Sequence, residues 1–289
     1  MFTEQSFHSG ELTLSYAAGA PSGPPLVLLH GVVRGWQDFL PILPALAARW
    51  RIYALDFRGH GASDRAGAAY RVADYVQDVV ALLRGPVEEP AVIYGHSLGA
   101  MVACAAAASV PERVRAVVLE DPPFETMGSR IQYTPFLAQF MGMRRALARG
   151  PRPVRELAAE LAEIRLPRPG GGTVRLGDLR DAPQLRFSAR CLQRLDPAVL
   201  DPIVESRWLD GYEVETVMRG LRCPSLLLAG DPDAGGMLSS FDSDRLVELA
   251  ADCVRVEFPG VGHLIHWSQP ERLLLQVLPF LESLEPIGA

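Results

Sequence analysis

The sequence predicts an α/β fold built on a doubly wound, mostly parallel sheet, and three observations lead there. Short apolar runs alternate with helical patterns along most of the 289 residues. One run ends in a glycine-flanked serine, Gly95-His96-Ser97-Leu98-Gly99, and is followed at once by a helical pattern. One long stretch, 124–208, breaks the alternation.

Taken in order, Phe7 to Ala17 alternates like an exposed antiparallel hairpin. The runs Leu26-Val27-Leu28-Leu29, Ile52-Tyr53-Ala54-Leu55, Ala91-Val92-Ile93-Tyr94, Val117-Val118-Leu119, Ser225-Leu226-Leu227-Leu228 and Val254 to Phe258 are mostly apolar and end in Gly, Asp, His or Pro. They suit parallel strands covered on both faces. Between them, helical patterns run from Leu40 to Arg49, Val72 to Leu83, Leu98 to Ser109, Ser243 to Ala250 and Glu271 to Leu284. Alternating strands and helices imply right-handed crossovers. From Phe124 to Trp208 no strand is expected. The helical patches Phe136 to Ala148, Val154 to Ile164 and Leu185 to Leu195 are separated by Pro151, Pro153, Pro167 and Gly170-Gly171-Gly172. The expected organisation is a core of residues 1–123 and 209–289 with a helical cap, 124–208, inserted after the sixth strand.

Composition narrows the function. At 48% hydrophobic residues the chain can bury a large core. A net charge of −6 with interspersed arginines argues against a nucleic-acid partner. No apolar run reaches the length of a membrane span, and Met1 to His8 lacks the basic and apolar character of a signal peptide, so a soluble, cytoplasmic protein is expected. Cys104, Cys191, Cys223 and Cys253 are widely spaced and form no metal or disulfide pattern. No phosphate loop is present, and neither a metal nor a cofactor is implied.

The serine at the strand-to-helix turn is placed as a nucleophile. A sharp turn there strains the serine backbone and brings strand and helix too close for flanking side chains, which explains the two glycines. Together with His30-Gly31, Asp56-Phe57-Arg58-Gly59-His60-Gly61-Ala62-Ser63 and Gly262-His263, the elbow makes the chain resemble the α/β-hydrolase fold superfamily, in its capped serine hydrolase, esterase- or lactonase-like branch. The resemblance covers nearly the whole length.

That resemblance implies the site. Ser97 is the nucleophile and His263, last in the chain, its base. The triad acid is Asp121, in Glu120-Asp121-Pro122-Pro123, or Asp233, at the G-x-x-D position of Gly230-Asp231-Pro232-Asp233; Asp121 is favoured, and Asp231 and Glu120 are remoter candidates. The oxyanion donors are the backbone N–H groups of Leu98 and Val32. Phe124, Met127, Phe136 and Phe140 are expected to contact substrate as well as to pack the cap. His30, His60 and Arg58 are expected to hold loops, His96 to pack behind the nucleophile, and His266 to cap or pack the last helix.

A serine at position 97 departs from the dehalogenases and epoxide hydrolases of this fold, whose nucleophile is a carboxylate. The expected activity is hydrolysis of an ester or lactone of a small to medium, fairly apolar substrate through an acyl-enzyme. A carbon–carbon bond hydrolase, a cofactor-free perhydrolase, or a non-catalytic receptor on the same fold are the alternatives.

Overall fold

The computed structural model describes residues 2–19, 22–168 and 170–284; the outermost residues of the expected core lie outside that range. The described residues form ten strands: β1 (Thr3–Ser9), β2 (Leu12–Gly19), β3 (Pro25–Leu29), β4 (Arg51–Leu55), β5 (Ala91–His96), β6 (Val114–Glu120), β7 (Arg165–Pro167), β8 (Thr173–Arg175), β9 (Ser225–Gly230) and β10 (Cys253–Phe258). Eight of them make one sheet in the order β1-β2-β4-β3-β5-β6-β9-β10. The β1–β2 hairpin and the β2–β4 pair are antiparallel, and the rest of that sheet is parallel. The α/β class expected from the sequence is thus the fold observed.

Strand alternation divides the interior in two. Val27, Leu29, Ile93, Val117 and Leu119 belong to one apolar cluster, while their neighbours Leu26, Leu28, Val92, Ala116 and Val118 belong to another. Successive side chains point to opposite faces of a strand, so a strand with both faces covered must be apolar throughout. Helix Leu98–Ser109 is buried from Leu98 to Ala107 and rich in alanine, as a helix sandwiched between the sheet and other helices must be.

Three departures from the expected elements have local causes. The pattern from Leu40 to Arg49 forms only a short helix, Leu43–Ala47, preceded by a 3-10 turn at Trp36–Phe39. Pro44 sits in the first turn of that helix, where a missing N–H costs nothing, and so sets where it can begin. Segment 124–208 does contain strands: β7 and β8 pair antiparallel across the triple glycine, whose residues all have positive φ. Each strand is three residues long with only its middle side chain buried, too short to leave a periodic signal. Helix Val214–Gly220, outside the expected helical patterns, is seven residues long with only Met218 buried, too little to mark a helical period.

The sheet positions the site through close contacts at glycine. A Cβ on Gly99 would lie 1.9 Å from the carbonyl oxygen of Leu29, and one on Gly95 would lie 2.2 Å from that of Gly99. Gly99→Ala therefore drives the helix off β3. Its cost is expected at or above the ~1–3 kcal/mol typical of overpacking, measured by thermal or urea unfolding; wild-type stability for this variant would show that the strand–helix approach is not so tight.

Candidate active site

The site gathers at the carboxyl edge of β3, β5, β6 and β9, where open parallel sheets place their loops. Ser97 stands between β5 and the helix that begins at Leu98, with φ 56° and ψ −117°. A non-glycine residue in that region is strained, and the turn holds it there because its flanks are fixed. The amide of Ser97 donates to the carbonyl of Glu120 at 2.9 Å, extending the β5–β6 ladder. As the first helical residue, Leu98 has an N–H with no partner inside the helix, next to the positive end of the helix dipole. From the β3 side Gly31 closes in: a Cβ there would be 3.2 Å from Ser97 Cβ.

Val32 and Val33 follow in this loop, and Val33 also has positive φ. Two neutral histidines hold it. His30 Nε2 accepts from the Phe57 amide at 3.1 Å, and its Nδ1 donates to the Gly31 carbonyl at 2.7 Å. His60 Nε2 accepts from the Val33 amide at 3.3 Å, while its Nδ1 donates to the Arg58 carbonyl. Burial lowers both pKa values, that of His60 to about 3, so each ring keeps the lone pair it needs as an acceptor. Asp56 accepts from the amides of Trp36 and Ala62, and Arg58 makes two bonds to Asp78. These contacts tie the loops after β3 and β4 into one unit.

His263 follows β10, and its Nδ1 lies 2.6 Å from Asp121 Oδ2. Asp121, at the end of β6, has φ 45° and a fully buried carboxylate. Three backbone amides donate to that carboxylate: Gly230 at 3.0 Å, Met237 at 2.7 Å and Leu238 at 3.3 Å. Of the two expected acids, Asp121 is thus the one in contact with His263. Asp233 is exposed in the 3-10 turn Pro232–Ala234, its amide donating to Asp231. Asp231 also accepts from the Gly260 amide at 2.7 Å and so braces the turn that leads to His263. Glu120, the remaining candidate, turns to the opposite side of the sheet's end and pairs with His266.

A buried charged network lies beneath the elbow, which the sequence had suggested only as packing. His266 Nδ1 is 2.8 Å from Glu120 Oε1, its amide is 3.0 Å from the same oxygen, and its Nε2 is 3.4 Å from Asp38 Oδ2. Burial by itself would lower the His266 pKa, but Glu120 and Asp38 outweigh it and raise the value to about 10. Burial likewise opposes ionisation of Glu120, yet His266 pulls it down to about 2. His96 is different: burial holds it neutral, near 3, despite both carboxylates. Its Nε2 lies 3.0 Å from the backbone carbonyl of His263 and, acceptors having no proton, must be the donor. The His96 ring packs edge-on against His266, with centroids 4.8 Å apart, and so links the network to the His263 main chain by packing. Asp38, His96 and His266 are also the set whose geometry comes nearest to holding a metal ion among the described residues. Protonated His266, however, has no lone pair for a ligand bond.

Ser97, His263 and Val32 line a cavity of about 50 Å³, together with Met127 and Phe140. It adjoins a wider one of about 850 Å³, which shares His263 and includes Phe136. Phe124 is fully buried in the apolar core, with φ 35°. Two residues missed in the sequence also line the inner cavity, Arg34 and Arg180. Arg34 follows the His30-Gly31 loop and was within reach of a motif-based reading; Arg180 stands among many arginines with nothing local to mark it.

The model of the alpha/beta hydrolase family matches residues 26–276, and the chain belongs to that family. The 2-(acetamidomethylene)succinate hydrolase of Mesorhizobium japonicum is 25% identical over 294 residues, covering 98% of this chain and 96% of that protein. The 2-hydroxymuconate semialdehyde hydrolase of a Pseudomonas species is 29% identical over 261 residues, 86% of this chain and 83% of that one. Among solved structures, E-2-(acetamidomethylene)succinate hydrolase matches with a TM-score of 0.76 at 24% identity, over 98% of this chain and 100% of that chain. The chain is a hydrolase of this family. No helix among the described residues is long and apolar enough to cross a membrane.

The His266 pairing has a defined pH signature. Its folded pKa is raised above the unfolded 6.5, so the stability it contributes is complete below pH 6.5 and is lost as pH rises through about 10. The stability gap between wild type and His266→Gln, read from urea midpoints, is expected to be widest near pH 6 and to close toward pH 10. A gap that is constant with pH contradicts a charged His266.

Proposed function

We propose that this enzyme is a serine hydrolase that cleaves a carboxylic ester or lactone of a small molecule through an acyl-enzyme. The observation that carries the reading is the 2.6 Å contact of His263 Nδ1 with a buried Asp121 carboxylate, at a cavity that Ser97 lines on a strained elbow. A carboxylate on Nδ1 fixes the tautomer in which Nε2 is the free base. His263 takes the Ser97 proton as Oγ attacks the acyl carbon, then gives it to the leaving oxygen. Water, deprotonated by the same ring, repeats the attack and restores Ser97. The developing oxyanion is received by the amides of Leu98 and Val32, each contributing ~3 kcal/mol to the transition state. Residues 124–208 form the cap in this reading, with Met127, Phe136 and Phe140 against the acyl or alcohol part; Phe124, fully buried, acts through packing.

The names of the relatives support acyl-bond hydrolysis and also a second reading. A 2-hydroxymuconate semialdehyde hydrolase with coverage of most of both chains favours carbon–carbon bond cleavage by the same three residues. The 2-(acetamidomethylene)succinate hydrolase favours an acyl substrate that bears acid groups.

A fluorophosphonate probe with peptide mapping is expected to modify Ser97 in the native enzyme and nothing in Ser97→Ala; an unmodified Ser97 contradicts the reading. In an ester and lactone panel, Asp121→Ala is expected to lose roughly 10³–10⁴-fold in kcat, with Asp233→Ala close to wild type. The reverse order would return the acid role to Asp233, and turnover of vinylogous diketones alone would favour carbon–carbon cleavage.

A further inference from the structure

Arg180 differs from every other arginine of segment 124–208. The others are ion-paired, as Arg130 is with Asp242, Arg144 with Asp201 and Arg152 with Glu160, or else they are exposed. Arg180 is half-buried, and its guanidinium has no hydrogen-bond or ion-pair partner among the described residues. It lines the inner cavity with Ser97 and also the wider one, so it stands where the two join. Charged groups of both signs act on it without bonding to it. Arg34, on the same cavity, repels it; Asp181 and Asp38 attract it more weakly. Asp38 is already engaged by Arg34, His266 and Trp267, and Asp181 caps the helix that follows it through the Gln184 amide.

Arg34 and Arg180 line one cavity and their charges repel, and an apolar ligand there would desolvate Arg180 without giving it a hydrogen-bond partner. Such a site penalises neutral occupants and favours an anion. Planar guanidinium matches carboxylate with two parallel bonds. Arg34 is partly committed elsewhere, its Nε facing Asp38 at 3.8 Å and its guanidinium lying over the Phe187 ring, whereas Arg180 has no such partner.

We propose that the Ser97 cavity selects acyl substrates that carry a second, free carboxylate, which Arg180 binds while Arg34 adds positive field. Half-esters of dicarboxylic acids, or lactones bearing an acid group, are the substrate class. This inference rests on the serine hydrolase reading and specifies its substrate. The anchoring step makes and breaks no covalent bond; it holds the acyl carbon at Ser97 and trades the water on Arg180 for a charged pair.

The test compares phenyl hemiglutarate with phenyl butyrate, an ester of similar length without the acid, and uses glutarate as a binding probe. Wild type is expected to favour the hemiglutarate in kcat/KM by at least about 100-fold, below the roughly 10⁴–10⁵ of a fully enclosed polar site because Arg180 is only half-buried. Arg180→Gln is expected to erase that preference, chiefly through KM for the hemiglutarate, while Arg180→Lys restores part of it. In parallel, glutarate is expected to slow fluorophosphonate labelling of Ser97 in wild type but not in Arg180→Gln, and glutaramide to slow neither. Circular dichroism and thermal unfolding check that each variant folds; should Arg180→Gln not fold, Arg180→Lys and the glutarate–glutaramide contrast in wild type decide. Equal turnover of the two esters, equal losses on both in Arg180→Gln, or labelling indifferent to glutarate overturns the carboxylate subsite and leaves the hydrolase reading standing. Failure to label Ser97 at all overturns both.

Discussion

The contact between His263 and Asp121 is the point to which the rest of the site is tied. Asp121 leaves β6 with φ 45°, which turns its carboxylate back under β9, where the amides of Gly230, Met237 and Leu238 receive it. A carboxylate that accepts three amides and an imidazole N–H is fixed in one orientation, with its buried oxygens satisfied. The same bonds join the ends of β6, β9 and β10 at one place. Gly230 is small there for a reason: a Cβ would stand 3.1 Å from Asp121 Oδ1.

Below this contact the interior separates its histidines by charge. His30 and His60 are neutral acceptors that pin the loop carrying Val32, since burial removes any advantage of protonation. His266 is a cation because two carboxylates face it. His96, between the two groups, is neutral and reaches the His263 carbonyl. Placing a fixed cation and two carboxylates under the elbow is costly unless each is paired. Here they pair with one another, and the arrangement gives β5, β6 and the helix at Ile265–Ser268 a single register.

Much of the fold was legible because a two-faced parallel sheet demands uninterrupted apolar strands, as in Leu26 to Leu29 and Ala91 to Tyr94. The turn at Ser97 was legible because tight strand–helix approach demands Gly95 and Gly99. Strands β7 and β8 were not, since one buried side chain apiece carries no period. Chain order also leaves Asp121 and Asp233 equivalent, both lying past strands that end at the same edge. Their difference lies in backbone direction: a positive φ at Asp121 and a short exposed turn at Asp233. The pairing of Glu120 with His266 spans 146 positions, and Arg180 comes to the cavity of Ser97 only through the fold of segment 124–208, so no local signal marks either.

The most direct test of the account is the far-downfield proton spectrum of the folded enzyme. A short Nδ1–H bond to a buried carboxylate places its proton well beyond the amide region. One such resonance is expected to vanish in His263→Ala and in Asp121→Asn and to persist in Asp233→Asn, independent of any signal from His266. A His263 resonance that survives Asp121→Asn and disappears in Asp233→Asn would contradict the account.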